Sequence, residues 1–141
     1  MGLIEVQILV DTEQLINDFP GGSKTNVPNK YIHMTIVGGQ SNASRITGSG
    51  GAELGFYALQ NTDLRLFAIP KKPYGNVQIL KSGNLVPTGC LVGGKFSFND
   101  GVATGVTVGE AATQVAYNFV MRVDNFDFTF TWDPFLGVSK A

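Results

Sequence analysis

The stretch 115–133, VAYNFVMRVDNFDFTFTWD, constrains the fold of this chain more than any other. Val115, Tyr117, Phe119, Met121 and Val123 alternate with smaller or polar residues. At Asp124-Asn125 the register shifts, and Phe126, Phe128, Phe130 and Trp132 continue the apolar series. Two period-2 runs joined by such a pair read as an antiparallel hairpin with a two-residue turn. That turn pairs Val123 with Phe126, Met121 with Phe128, Phe119 with Phe130 and Tyr117 with Trp132, all on one face. Asn118, Arg122, Asp127, Thr129 and Thr131 then fall on the other face. A two-stranded hairpin does not offset the entropy of ordering itself. Its aromatic face needs a second sheet against it, and a sandwich is the simplest arrangement that supplies one. The competing cover is a second copy of the chain.

The 141 residues suit one domain, 1–141, large enough for a core without staples. Ten Lys plus Arg against eleven Asp plus Glu leave a net charge of −1. Charged residues make up 15% of the chain, against about 25% in an average globular domain. Sparse surface charge gives weak repulsion between molecules and favours self-association. The Lys71-Lys72 pair is too small for a nucleic-acid footprint, and no basic stripe flanks an aromatic platform. Cys90 is alone, so no intramolecular disulfide forms; its TGCLVGG setting reads as a small buried hydrophobe. IEVQILV alternates and meets Asp11, which reads as a strand and not as a signal peptide. No run reaches transmembrane length. The expectation is a cytoplasmic protein, with leaderless release compatible with the same sequence.

Along the chain, residues 3–10 read as a first strand. Asp11 or Thr12 caps a short helical segment over 12–19, anchored by Leu15, Ile16 and Phe19 and ended by Pro20-Gly21-Gly22. Residues 23–29 read as a polar loop. Residues 31–37 form a second strand with Ile32, Met34 and Ile36 on one face. The Gly-, Ser- and Asn-rich stretch 38–51 reads as a long loop or a weakly patterned strand. Residues 52–58 and 64–69 read as strands around an Asn61-Thr62-Asp63 turn, and 77–80 as another strand. Residues 85–92 are irregular. Residues 95–98 form a short strand that turns at Asn99-Asp100-Gly101, with 102–108 pairing back. The final hairpin follows, then Asp133-Pro134, which ends an edge strand, and a short tail, FLGVSKA. The fold class is all-β: a jelly-roll-like sandwich of mainly antiparallel strands with one short N-terminal helix.

Few residues carry chemistry. His33 is the sole histidine, so no histidine-rich metal site can form, and no nucleophile elbow accompanies it. GGQSNASRITGSGG has the glycines of a phosphate loop without its closing lysine. Asn42-Ala43-Ser44 has the form of a glycosylation acceptor but reads as surface loop without a secretory signal. Asp100 and Asp124, each in a turn, are the carboxylates that two loops could offer jointly to a calcium ion. Trp132 reads as a core residue, with stacking on a sugar ring as the functional alternative.

At this point the order of segments resembles the AidA/PixA inclusion-body proteins of bacteria. IEVQILVDTEQLINDFP (4–20) resembles the opening of that family. YIHMTIVGG (31–39) and GSGGAELGFYALQNTDLRLFAI (48–69) resemble its central strands. YNFVMRVDNFDFTFTWDPFLGVSKA (117–141) resembles its aromatic strand and Trp-Asp-Pro ending. The stretch 75–112 shows little likeness, and Leu66-Phe67 stand where the family carries a basic, tryptophan-containing segment. The resemblance implies a β-sandwich made in quantity inside bacteria and deposited as inclusions, and it raises a lectin-like role. It supplies no established catalytic residues; the expected cofactor is none, with calcium as the one alternative.

Two functional expectations follow. The first is a non-enzymatic protein that self-associates as a homo-oligomer. The second is a carbohydrate-binding module in which Trp132, Tyr74, Asn76, Asn99 and Asp100 meet the sugar, with Tyr57 as a further stacking platform and calcium on Asp100 and Asp124 as its metal-assisted form. The second requires the loops at 41–51, 74–76 and 99–101 to share one end of the sandwich.

Overall fold

Alternation over Leu3–Val10 sends Ile4, Val6, Ile8 and Val10 to one side, and all four are fully buried. This strand, β1, is the second strand of a five-stranded sheet in the computed structural model, which describes residues 2–22, 24–71, 76–83, 85–86, 88–108 and 111–139, with backbone alone for 111–113. Asp11 caps helix α1 (Thr12–Asp18): its Oδ1 accepts the Gln14 N–H at 3.3 Å. The remaining strands are β2 (Lys24–Val27), β3 (Ile32–Gly38), β4 (Ala43–Thr47), β5 (Gly55–Leu59), β6 (Asp63–Pro70) and β7 (Val77–Ser82). They continue with β8 (Ser97–Asn99), β9 (Val102–Val106), β10 (Ala111–Ala116), β11 (Phe119–Val123), β12 (Phe126–Phe130) and β13 (Phe135–Ser139).

Three sheets result, ordered β3-β1-β6-β9-β8, β2-β12-β11-β7 and β10-β13-β5-β4. The inward residues of all three feed one apolar cluster, including Ile8 from β1, Phe56 from β5, Met121 from β11, Phe128 from β12 and Val138 from β13. Pairing is mainly antiparallel, as expected, but β1/β6, β2/β12 and β5/β13 run parallel. The fold is an all-β sandwich with one short helix near its start.

The expected hairpin is present and keeps its expected register near the turn, where Val123 pairs with Phe126 and Met121 with Phe128; the ladder ends at Val120 and Thr129, so the expected Phe119–Phe130 and Tyr117–Trp132 pairs are not part of it. On the outer face Arg122 pairs with Asp127 across the strands, Nε to Oδ1 at 2.8 Å. Of the eight side chains assigned to the aromatic face, Phe126 alone is exposed, at 39%. Its ring lies over Gly22, where φ is +92° and an added Cβ would come within 2.5 Å of the ring.

Four readings are corrected. The strand before the hairpin is not continuous. Tyr117 N–H donates to Pro134 O at 3.0 Å in the third sheet, whereas Phe119 pairs with Ser82 in the second. Residues 135–139 are no tail: β13 lies between β10 and β5, with Leu136 and Val138 buried. Asp133-Pro134 therefore bridges two sheets. Residues 24–27 form a strand, because Thr131 N–H donates to Val27 O at 2.8 Å and Val27 is buried; Ser23 lies outside the described residues. The strands on either side of Asn61 enter different sheets and do not pair with each other.

Candidate functional site

The three turns that carry the proposed ligand residues converge only in part. Asn76 and Asp124 exchange hydrogen bonds: Asn76 N–H donates to Asp124 Oδ1 at 3.1 Å, and Asp124 N–H donates to Asn76 O at 2.8 Å. Asp124 adopts φ 54°, which the two-residue hairpin turn requires. The Asp100-Gly101 turn has φ values of 53° and 77° and joins β8 to β9. Gly101 O accepts the Ile79 N–H at 2.9 Å, on the edge of β7 opposite the one that pairs with β11. Asp100 and Asp124 thus flank β7 on its two sides.

One Asp124 oxygen is committed to Asn76. No group of three or more His, Cys, Asp or Glu side chains among the described residues could hold a metal ion. A calcium ion takes about six to eight oxygen ligands. The two carboxylates lie on either side of β7, with no third such side chain grouped with them among the described residues.

The sugar-binding group separates further. Trp132 is fully buried, with its ring centroid 5.8 Å from that of Phe119 and 6.5 Å from that of Tyr117. It has no face for a sugar. The period-2 pattern that places Phe128 and Phe130 in the core places Trp132 there too. Its indole N–H has no hydrogen-bond partner among the described residues. Asn76, Asn99 and Asp100 are exposed. Tyr74 lies outside the described residues. Tyr57 is half-buried, with the Arg45 guanidinium 5.2 Å from its ring centroid.

The segment 41–51, which contains strand β4, goes elsewhere. Asn42 Nδ2 donates to Leu3 O at 3.2 Å, at the start of β1. Gly50 N–H donates to Met34 O at 2.7 Å, and Met34 N–H donates to Gly51 O at 2.8 Å, closing the outer edge of β3. The segment therefore does not join the Asn76 and Asn99–Gly101 turns that adjoin β7.

The titratable clusters serve the fold. Tyr31 hydroxyl donates to Asp18 Oδ2 at 2.6 Å, and Asp18 also accepts from Gln14 Nε2 at 2.8 Å and lies 3.6 Å from Lys30 Nζ. Burial, then the Asp18 carboxylate, pushes the Tyr31 hydroxyl up to about 12. The Tyr31 hydroxyl, Gln14 and Lys30 hold Asp18 below the ordinary carboxylate range. The clamp ties α1 to the turn that enters β3. Cys90 is buried, donates Sγ–H to Leu136 O at 3.6 Å, and has its thiol pushed up by burial. His33 sits half-buried on the face of β3 opposite Ile32, Met34 and Ile36.

The feature that sequence reasoning missed is the outer face of the five-stranded sheet. Leu3 on β1 pairs with Asp63 on β6, and Asp63 with Val106 on β9. Val92 and Lys95, from the segment before β8, complete a shallow hollow with them. Leu3 is 44% and Val92 58% exposed. In the next row Arg65 Nη1 meets Glu5 Oε2 at 3.2 Å and lies 4.9 Å from the Phe67 ring centroid. Alternation in β1 signalled an outward Leu3; which strands flank it depends on a parallel pairing that no local pattern reveals. A second groove, on the outer face of the β2-β12-β11-β7 sheet, has Lys24 and Lys81 above Val120 and Thr129.

Neither a protein-family model nor a curated protein matches the sequence. Among solved structures, the fold is similar to the crystal structure of the inclusion body protein PixA from Burkholderia cenocepacia J2315. The two share 16% identity over 96% of each chain, with a TM-score of 0.62. The likeness is one of fold, and it falls on the family that the segment order resembles.

Proposed function

We propose that this chain is a non-enzymatic, self-associating protein of the inclusion-body type, one domain over 1–141 that collects in the bacterial cytoplasm without a resident cofactor. The observation that carries this reading is the likeness of fold, across 96% of both chains, to a protein named for inclusion bodies. The surface supports it: charge is sparse, and Leu3, Val37, Ile46 and Val92 are exposed. The non-enzymatic part is supported by the separation of the two singly occurring reactive types, with Cys90 in the core and His33 on the outer side of β3.

Two of the sheet edges, β3 and β4, favour association through faces over strand addition. Beside Met34 the outer edge of β3 is already bonded to Gly50 and Gly51. At the end of the third sheet, β4 shifts register between Ser44 and Thr47, where Arg45 takes φ 51°. An irregular edge of this kind resists lateral strand addition.

The test is expression in a bacterial host followed by gentle lysis. The reading expects dense particles that dissolve in native buffer to folded protein. Protein that stays wholly in the soluble fraction at high expression would overturn it.

A further inference from the structure

We propose that the hollow around Val106, on the outer face of the five-stranded sheet, is where a second copy of this chain docks, about a two-fold axis that sets Asp63 of each copy against Lys95 of the other. The proposal rests on the self-association reading and names the surface responsible.

Asp63 pairs directly with Val106 on one side. On the other side β8 pairs with β9 through Ser97 and Thr104, and continuing that register brings residue 95 level with Val106. Asp63 and Lys95 therefore stand on opposite flanks of Val106, each about 4.8 Å away in the direction across the strands. Both line the hollow, yet neither has an ion-pair partner within 4.0 Å among the described residues. A rotation of half a turn about an axis near Val106 exchanges the two flanks. It sets Asp63 over the second copy's Lys95 twice, and it brings the exposed Leu3 toward the second copy's Val92. This is the self-complementary geometry of an isologous interface.

The charge balance of the face selects the occupant. Asp63 and Glu5 oppose Lys95 and Arg65 in equal number, and Glu5 and Arg65 already neutralise each other at 3.2 Å. A polyanion or an acidic partner finds no net attraction here. Among the described residues this neutral face carries one charge of each sign without an ion-pair partner, on either side of an apolar centre, and its complement is the same face turned over. The exposed apolar pair, Leu3 and Val92, gives that contact surface to remove from water.

The test uses the full chain and reads the association constant by light scattering over a concentration series. Lys95→Glu places like charges against each other twice and is expected to weaken association by about tenfold or more. Asp63→Lys is expected to do the same, and the double variant Asp63→Lys/Lys95→Glu to recover most of the loss. Lys95 is exposed, so Lys95→Glu alone keeps the test decisive should Asp63→Lys fail to fold. Wild-type protein that associates while Lys95→Glu associates equally well overturns this surface and leaves self-association standing. Wild-type protein that never associates overturns both. Singles that weaken and a double that recovers establish the two-fold contact.

Discussion

Asn118 and Leu85 are joined twice: Asn118 Oδ1 accepts the Leu85 N–H at 3.1 Å, and Asn118 N–H donates to Leu85 O at 3.4 Å. Asn118 Nδ2 donates in addition to Phe130 O at 3.3 Å, and the side chain is buried, with the residue 4% exposed. This one amide stands where the chain leaves the third sheet and enters the second. Asn118→Leu strands the Leu85 N–H, and adds bulk beside Gly83, whose Cα faces the Asn118 amide. The expected loss is about 1–3 kcal/mol, read from urea unfolding. A change within a few tenths would remove Asn118 as the support of that crossing.

Trp132 is the only tryptophan and is fully buried among aromatic rings. Native fluorescence is therefore expected to be blue-shifted and resistant to iodide, and to shift red on unfolding. Trp132→Ala is expected to cost about 3–5 kcal/mol through the cavity it leaves. Emission quenched by iodide in the native protein would place the indole at the surface and reopen its use as a sugar platform.

The Tyr31–Asp18 clamp predicts how stability varies at both pH extremes. An unfolded tyrosine ionises near pH 10, whereas folded Tyr31 holds its proton to about 12. Its contribution is complete below the unfolded value and is lost as pH climbs from there through the folded value. Tyr117, fully buried, is shifted in the same direction. Tyr31→Phe is thus expected to make the alkaline loss shallower without abolishing it. Asp18 has the opposite sign: its contribution is present above the unfolded carboxyl value of about 3.9 and disappears as pH falls through the lower folded value. Melting temperatures of wild type and Tyr31→Phe across the two ranges check this; parallel curves above pH 10 would contradict it.

Cys90 is enclosed and bonded to Leu136 O. A thiol reagent is expected to label it at the rate of unfolding, slowly in buffer and at once in denaturant. Rapid labelling of native protein would show that the segment around Cys90 opens readily.

Local alternation carried much of this fold, and its failures share a cause. The register at Val123 and Phe126 was legible because turn length and side-chain period both act within a dozen residues. The split at Asn118 was not, since Tyr117 and Phe119 keep their phase while the backbone between them changes sheets. Residues 135–139 resemble a tail because five residues of mixed character carry little period; pairing with β5, about eighty residues away, makes them a central strand. Separation along the chain also hid the row of Leu3, Asp63 and Val106, which exists only once β1 and β6 lie side by side in parallel. Turn chemistry marks Asp100 and Asp124 correctly as turn residues and says nothing of which turns meet. Thus Asn76 and Asp124 came together, while the segment 41–51 closed the edge of β3.

We propose that the folded chain associates with itself through its surface. Sedimentation velocity on the purified wild-type chain over a wide range of concentration reads this in solution. A weight-average sedimentation coefficient that rises with concentration, with Trp132 emission unchanged, is expected. A single monomeric boundary at every concentration would contradict it.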